Sequence, residues 1–368
     1  MGALCALWAS GCGKSTDTIK IGEFASLTGK EATFGVSSHE GTVLGVEQIN
    51  AAGGLLGKKL ELLTEDDLSK AGEPATAVNK LISRDGVVAI LGEVASSRSL
   101  EAAPICQQSQ IPMISPSSTN PKVPETGDYI FRVCFIDPFQ GTVMANFASK
   151  TLKAKKVAIF KDVKSDFSIG LAKFFKEGFL ANGGQIVSEL DYSGGDKDFK
   201  AQLTEIKSAG PDAVFVPGYY TDVALICIQA KQLNLTVPLF GGDGWESDQL
   251  VKIGQDAVEG NYFSTHYAPS VDTPQSMKFV ADYEKRFDGK VPDAMSALGF
   301  DSVTVLADAI KRAGTTEGAK VREALAATKD FPCVTGTTSI NSHRDATKPA
   351  VILQVKGGKF NYIETVNP

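Results

Sequence analysis

A strand is followed by a helix again and again along this 368-residue chain, and after a break the alternation starts afresh. Residues 19–24 read as a strand, and the apolar-periodic segment 36–52 reads as a helix that stops at Gly53-Gly54. The next strand is 60–64, with a helix at 74–84 closing at Asp85-Gly86. The short apolar run 87–91 fits a strand covered on both faces, and a helix at 99–108 leads to the strand 112–115. The second series opens with strand 156–160 and a helix whose Leu171, Phe174, Phe175 and Phe179 share one face at helical spacing. Further strands at 213–216 and 238–240 flank a helix at 224–233. The pattern predicts an α/β protein of two doubly wound parallel-sheet lobes, which bind ligands outside the carboxyl ends of their strands. From Pro274 onward the chain is mainly helical (277–287, 294–313, 319–328), with strands around 337–340 and 351–356. These late segments are too few for a third such domain, so they complete the first two.

Several function classes are excluded early. The formal net charge is −6 and the basic residues are spread out, so the clustered basic face of a nucleic-acid binder is missing and no nucleic-acid partner is expected. The three histidines, His39, His266 and His343, belong to no H-E-x-x-H motif, and neither G-x-S-x-G nor an opening G-x-G-x-x-G occurs. The expectation is a non-enzymatic protein without cofactor or metal. Glu65-Asp66-Asp67, the densest carboxylate group, ends a strand at the rim of the expected cleft. Cys106, Cys134, Cys227 and Cys333 match neither a redox pair nor a zinc site. Cys106 and Cys227 fall in apolar-periodic helices and read as buried thiols, while one disulfide among the four stays open.

The N-terminus carries a separate signal. Ala9-Ser10-Gly11-Cys12 resembles a bacterial lipobox, with Ala9 where Leu is usual and no Lys or Arg before the apolar stretch. Residues 1–17 are read as signal remnant, lipobox and tether, with Cys12 as the lipid attachment site and the membrane surface as a partner. The overlapping Gly13-Lys14-Ser15 imitates the end of a phosphate-binding loop, but the required first glycine is Trp8 and only seven residues lie upstream of it to form the strand such a loop needs.

From residue 19 onward the chain resembles the branched-chain amino-acid-binding family of periplasmic proteins, which has a type I periplasmic-binding fold. The resemblance rests on Gly22-Glu-Phe-Ala-Ser-Leu-Thr-Gly29, Gln48-Ile-Asn-Ala-Ala-Gly-Gly54 and Asp66-Asp67. It continues through Gly92-Glu-Val-Ala-Ser-Ser97, Ile111-Pro-Met-Ile-Ser-Pro-Ser-Ser-Thr119 and Ser165-Asp-Phe-Ser-Ile-Gly170. Asp198-Phe199, Pro217-Gly-Tyr219 and Gly241-Gly-Asp-Gly-Trp245 complete the series. It implies three crossings between the lobes, with lobe one at 18–137 plus 267–338 and lobe two at 138–266 plus 339–368. It also implies a monomeric, extracytoplasmic substrate-binding component of an ABC importer, with a small amino acid and the transporter permease as partners. A ligand-sensing receptor of the same fold, or a binder of an amide or other small polar metabolite, is the alternative.

A bound amino acid presents a carboxylate, an ammonium and a side chain, all of which a dry cleft must satisfy. Ser96-Ser97 follow a buried strand and open a helix, where they are expected to cap it and aim its amide end at an anion. Ser117-Ser118-Thr119 sit equivalently after the next strand. The resemblance implies that Ser96, Ser117 (through its backbone) and Thr119 hold the carboxylate. Asp243, in a glycine-rich turn, is the expected ammonium partner; the family usually carries Glu there, so the reach is one methylene shorter. Tyr219 matches a second residue on the ammonium side, and Phe34, Phe167 and Trp245 match an apolar side-chain pocket. The lipobox is directly testable. With an upstream signal restored, Cys12→Ala should release the protein from membranes and abolish the lipid mass increment; equal fractionation with no increment on the wild type would rule the anchor out.

Overall fold

The computed structural model describes residues 18–368; the predicted signal remnant and Cys12 lie outside them. In the first half the order is β1 (Ile19–Ala25), α1 (Ala32–Ala51), β2 (Leu60–Asp66), α2 (Glu73–Ser83), β3 (Ile90–Leu91), α3 (Ser96–Ser109), β4 (Met113–Ser115), α4 (Lys122–Glu125) and β5 (Ile130–Arg132). The second half continues with α5 (Asp137–Lys150), β6 (Lys156–Asp162), α6 (Asp166–Ala181), β7 (Gln185–Tyr192) and α7 (Lys200–Ala209). Then come β8 (Ala213–Phe215), α8 (Tyr220–Gln232), β9 (Leu239–Gly241), α9 (Asp248–Gly254) and β10 (Tyr262–Thr265). Last are α10 (Pro274–Arg286), α11 (Ala294–Ala313), α12 (Gly318–Ala326), β11 (Phe331–Cys333), β12 (Gly336–Thr338), β13 (Ala350–Lys356) and β14 (Lys359–Val366).

The first sheet has the order β2-β1-β3-β4-β5 with every pairing parallel. The parallel part of the second sheet, β7-β6-β8-β9-β10, repeats that order strand for strand. Each half therefore has its topological switch point between its first and third strands, where the following loops diverge and leave a crevice. The second sheet departs from the expected all-parallel form. β13 and β14 extend it antiparallel beyond β10, and β14 was not anticipated from the sequence. The cause is local: Gly357 and Gly358 both have positive φ (63° and 68°), the two-residue turn that closes a hairpin. The strand expected at 337–340 is instead the second arm of a small β11–β12 hairpin, separate from both sheets.

The late helices return to the first half. Leu298, Val303 and Leu306 of α11 and Val321 and Leu325 of α12 share a core with Ile19, Ile21 and Val46. The contact between α1 and α11 requires glycine. A Cβ on Gly41 would lie 1.8 Å from the Ser296 carbonyl oxygen, and one on Gly299 2.1 Å from that of Ser38. Helix propensity alone would make Gly41→Ala stabilising by about 1 kcal/mol. The clash with backbone reverses the sign, so urea unfolding should register a loss of about 2–3 kcal/mol. A stabilised variant would mean that the two helices do not approach this closely.

Candidate functional site

The loops at the two switch points face one another, and their polarity is set by a few backbone groups. After β3, the Glu93 carbonyl accepts hydrogen bonds from the hydroxyls of Ser99 (3.2 Å), Ser115 (2.6 Å) and Ser118 (2.9 Å). That one oxygen fastens the loop after β3 to the loop after β4. Arg132, fully buried and ion-paired with Asp345 at 2.7 Å, donates to the Ser118 carbonyl at 2.6 Å and holds the second loop from below. The Ser96 hydroxyl accepts from the Asn120 amide at 3.2 Å, which brings the start of α3 beside Thr119. Thr119 Oγ1 is buried beside the Asp137 carboxyl and makes no hydrogen bond of good geometry. The predicted capping by Ser96-Ser97 is corrected. α3 begins at Ser96 itself, its N-cap is Ala95, and no side chain caps it. Ser97 instead reaches the second half, donating to Asp166 Oδ2 at 3.0 Å and accepting from the Asp166 amide at 2.9 Å.

On the other side, Tyr219 ends the loop after β8. Its ring stacks on Phe167, which follows β6, with centroids 5.3 Å apart and planes 4° from parallel. Phe34, from α1 of the first half, meets Tyr219 edge-on at 5.6 Å. Three aromatic residues from three predicted loops thus form one cluster across the two halves. Burial, and then the charges of Glu31, Glu93 and Asp243, hold the Tyr219 phenol well above its ordinary range. Trp245 is not part of it. Its indole N–H donates to the Val216 carbonyl at 2.8 Å and its ring stacks on Phe263, in the core of the second half. The physical reason is that the fully buried indole N–H needs an acceptor, which the Val216 carbonyl supplies.

Asp243 lies in the turn between β9 and α9, and its neighbours are glycine for steric reasons. A Cβ on Gly244 would come within 3.0 Å of both Tyr219 and Phe167, and one on Gly242 would strike Leu171 at 2.6 Å. The Asp243 carboxylate is buried. Oδ1 accepts from Gln140 Nε2 at 2.8 Å, and Oδ2 lies 2.9 Å from His266 Nε2. The same His266 nitrogen is 3.1 Å from the Ser117 hydroxyl, so the loop after β4 and the turn after β9 meet through one imidazole. Asp137 and Gln140, on the first turns of α5, add a buried carboxyl that faces Thr119 and an amide oxygen without a partner, and burial pushes the Asp137 carboxyl well above the usual carboxylate range. Sequence reasoning missed His266, Gln140 and Asp137. The available signal was the Asp-x-x-Gln spacing, which puts both side chains on one face of a helix opening after a strand.

Glu246 makes a further contact between the halves. Its Oε1 accepts from the Ala294 amide at 2.9 Å, at the start of α11, and its other oxygen meets the Thr265 hydroxyl. Burial, reinforced by the charge of Asp293, raises this carboxyl from 4.5 to about 8. Between those two values the folded protein holds a proton that the unfolded chain has released, so stability falls as pH rises through the window. Glu246→Gln keeps an oxygen for Ala294 and gains a donor for Thr265. It should exceed wild type in stability by about 1–3 kcal/mol at pH 8, with the gap closing toward pH 5. Urea titrations at the two pH values check this, and a gap independent of pH would refute it. Beside this contact a groove of about 660 Å³ opens between Thr33 and Val36 on one wall and Ser247, Tyr267 and Tyr362 on the other; it contains none of the predicted ligand residues.

Twin α/β sheets of the same strand order, facing across switch-point loops, define a type I periplasmic-binding fold. The profile of the periplasmic binding protein family matches residues 18–359, and the chain belongs to that family. It is 31% identical over 333 residues to the leucine-, isoleucine-, valine-, threonine- and alanine-binding protein of Pseudomonas aeruginosa, covering 90% of this chain and 88% of that one. Among solved structures it resembles the leucine-binding protein LivK of Thermotoga maritima, with 41% identity, a TM-score of 0.92, and 95% and 99% of the two chains covered. It is also similar to the branched-chain amino acid transporter substrate-binding protein LivJ of Streptococcus pneumoniae, solved in complex with isoleucine. That match has 34% identity, a TM-score of 0.90, and coverage of 95% and 100%.

Proposed function

We propose that this chain is the extracytoplasmic substrate-binding component of an ABC importer, and that its cleft closes on a small neutral amino acid of the branched-chain type. The observation that carries the reading is the pairing of a buried acid, Asp243, with an aromatic cluster, Phe34, Phe167 and Tyr219, that spans the two halves beside the hydroxyl-rich loops of the first. The solved relative that holds isoleucine and the leucine-binding relatives support the ligand class. On this reading Ser96, Thr119 and the backbone at Ser117 receive the carboxylate, Asp243 and Tyr219 the ammonium, and Phe34 and Phe167 the aliphatic side chain. The lobes divide at 18–137 plus 267–338 and 138–266 plus 339–368. The protein acts as a monomer without catalysis, is tethered through a lipid on Cys12, and hands its ligand to a permease.

Calorimetry with L-leucine tests the site. Asp243→Ala leaves the ammonium desolvated opposite His266 and should lower affinity at least about a hundredfold. Asp243→Asn and Thr119→Ala keep more of the hydrogen bonding and should cost about ten- to a hundredfold. If folded Asp243→Ala binds leucine within a few-fold of wild type, the ammonium is held elsewhere.

A further inference from the structure

Asp243 has hydrogen-bond donors on both oxygens before any ligand is considered. A carboxylate only accepts, so the geometry fixes the roles: Gln140 Nε2 donates to Oδ1 at 2.8 Å, and His266 Nε2–H donates to Oδ2 at 2.9 Å. His266 is held in place. Its ring stacks on Phe135 with centroids 3.8 Å apart, Nε2 also faces Ser117 Oγ at 3.1 Å, and Nδ1 is buried without a partner. Its side chain is almost completely buried, with 1% of its surface exposed, so water does not supply the donor.

These contacts make the two ways of breaking an ammonium–carboxylate pair unequal. Removing the acid strands a desolvated cation beside an imidazole. Removing the cation leaves an acid that still has an amide and an imidazole donor. Resting on the amino-acid reading of the cleft above, we propose that His266 is a specificity-determining residue. By supplying a donor to Asp243 it sets how strongly the cleft demands an α-ammonium, and it lets the cleft accept branched-chain carboxylates that lack one. The ligand class thus widens from branched-chain amino acids to their des-amino acids.

The test compares L-leucine with 4-methylpentanoate, the same carbon skeleton without the amino group, by calorimetry at neutral pH. Wild type, His266→Phe and His266→Gln are measured, each first checked for a native circular dichroism spectrum. Wild type should bind 4-methylpentanoate within about thirtyfold of leucine, less than the hundredfold or more expected where a buried charge is left with no partner at all. In His266→Phe the ratio should widen by about tenfold or more, the worth of a hydrogen bond to a charged group, because leucine brings its own donor and the carboxylate does not. His266→Gln restores an N–H at the Nε2 position and should return the ratio to near wild type. A ratio in His266→Phe within about threefold of wild type overturns the proposal while leucine binding leaves the amino-acid reading intact. A wild type that binds neither compound at millimolar concentration overturns both. If His266→Phe fails to fold, a His266→Gln ratio near wild type supports the role of the donor, and one widened tenfold in that folded variant counts against it.

Discussion

Taking a carboxylate out of water costs several kcal/mol unless donors replace the lost hydration, and Asp243 draws its two donors from separate parts of the chain, one of which touches a third. Gln140 comes from α5, His266 from the end of β10, and Ser117 joins through His266 from the loop after β4. Satisfying one acid therefore fixes the relative position of the turn after β9, the first turn of the second half and a strand-end loop of the first half. The surrounding packing follows from that demand. Gly242 and Gly244 lack side chains because the turn is drawn against Leu171, Tyr219 and Phe167, and Phe135 supports the imidazole from behind. Replacing either glycine would push the carboxylate away from its donors before touching any ligand.

Much of this architecture is legible in the sequence because period and position carry it. Phe34, Phe167 and Tyr219 each follow a strand that short apolar runs reveal, and loops after parallel strands converge on a switch point. What stays hidden depends on direction. Nothing in Gly-Gly-Asp-Gly-Trp tells which way the Trp245 ring turns; the need of its buried indole N–H for an acceptor, met at the Val216 carbonyl, and its packing on Phe263 go with the inward direction. α3 starts three residues before its apolar period shows, because its first turn, Ser96-Ser97-Arg98, is polar and used for contacts rather than core. α5 has little amphipathic signal because the small residues Gly141 and Ala145 and the polar Asp137 and Gln140 are buried along with Val143, Met144 and Phe147, so apolar periodicity did not mark Gln140 and only the Asp-x-x-Gln spacing pointed to it. The antiparallel edge of the second sheet was readable after all: Gly357-Gly358 between two β-rich runs is a hairpin signal.

The first half is organised around a backbone oxygen. The Glu93 carbonyl receives three serine hydroxyls, which is why that stretch is rich in serine and why hydroxyl count alone says little about ligand binding. Ser99, Ser115 and Ser118 are occupied with structure. Thr119 Oγ1 is different, because it lies beside the buried Asp137 carboxyl rather than on a loop carbonyl and makes no hydrogen bond of good geometry there. The distinction between serines that build the loop and a threonine that faces a buried acid appears only when each hydrogen bond is assigned.

On the proposed reading, closure depends on how these two halves share polar groups. Contacts such as Thr33 to Ser247 at 2.9 Å and the Tyr220 hydroxyl to the Lys30 carbonyl at 2.9 Å join the halves directly, each contributing about 0.5–1.5 kcal/mol. A ligand shifts an open–closed balance only by the difference in its affinity for the two states. A group that touches one half contributes nothing to that difference, however tightly it binds. On the proposed reading an amino acid engages the first half with its carboxylate and the second with its ammonium, joined through a single α-carbon. The effective link is therefore the short distance between Ser117 and Asp243, which His266 already spans. An imidazole in that position gives the closed form part of the bridge a ligand would make. It lowers the free energy the ligand must contribute to closure and, for the same reason, weakens the distinction between ligands that bring an ammonium and those that do not.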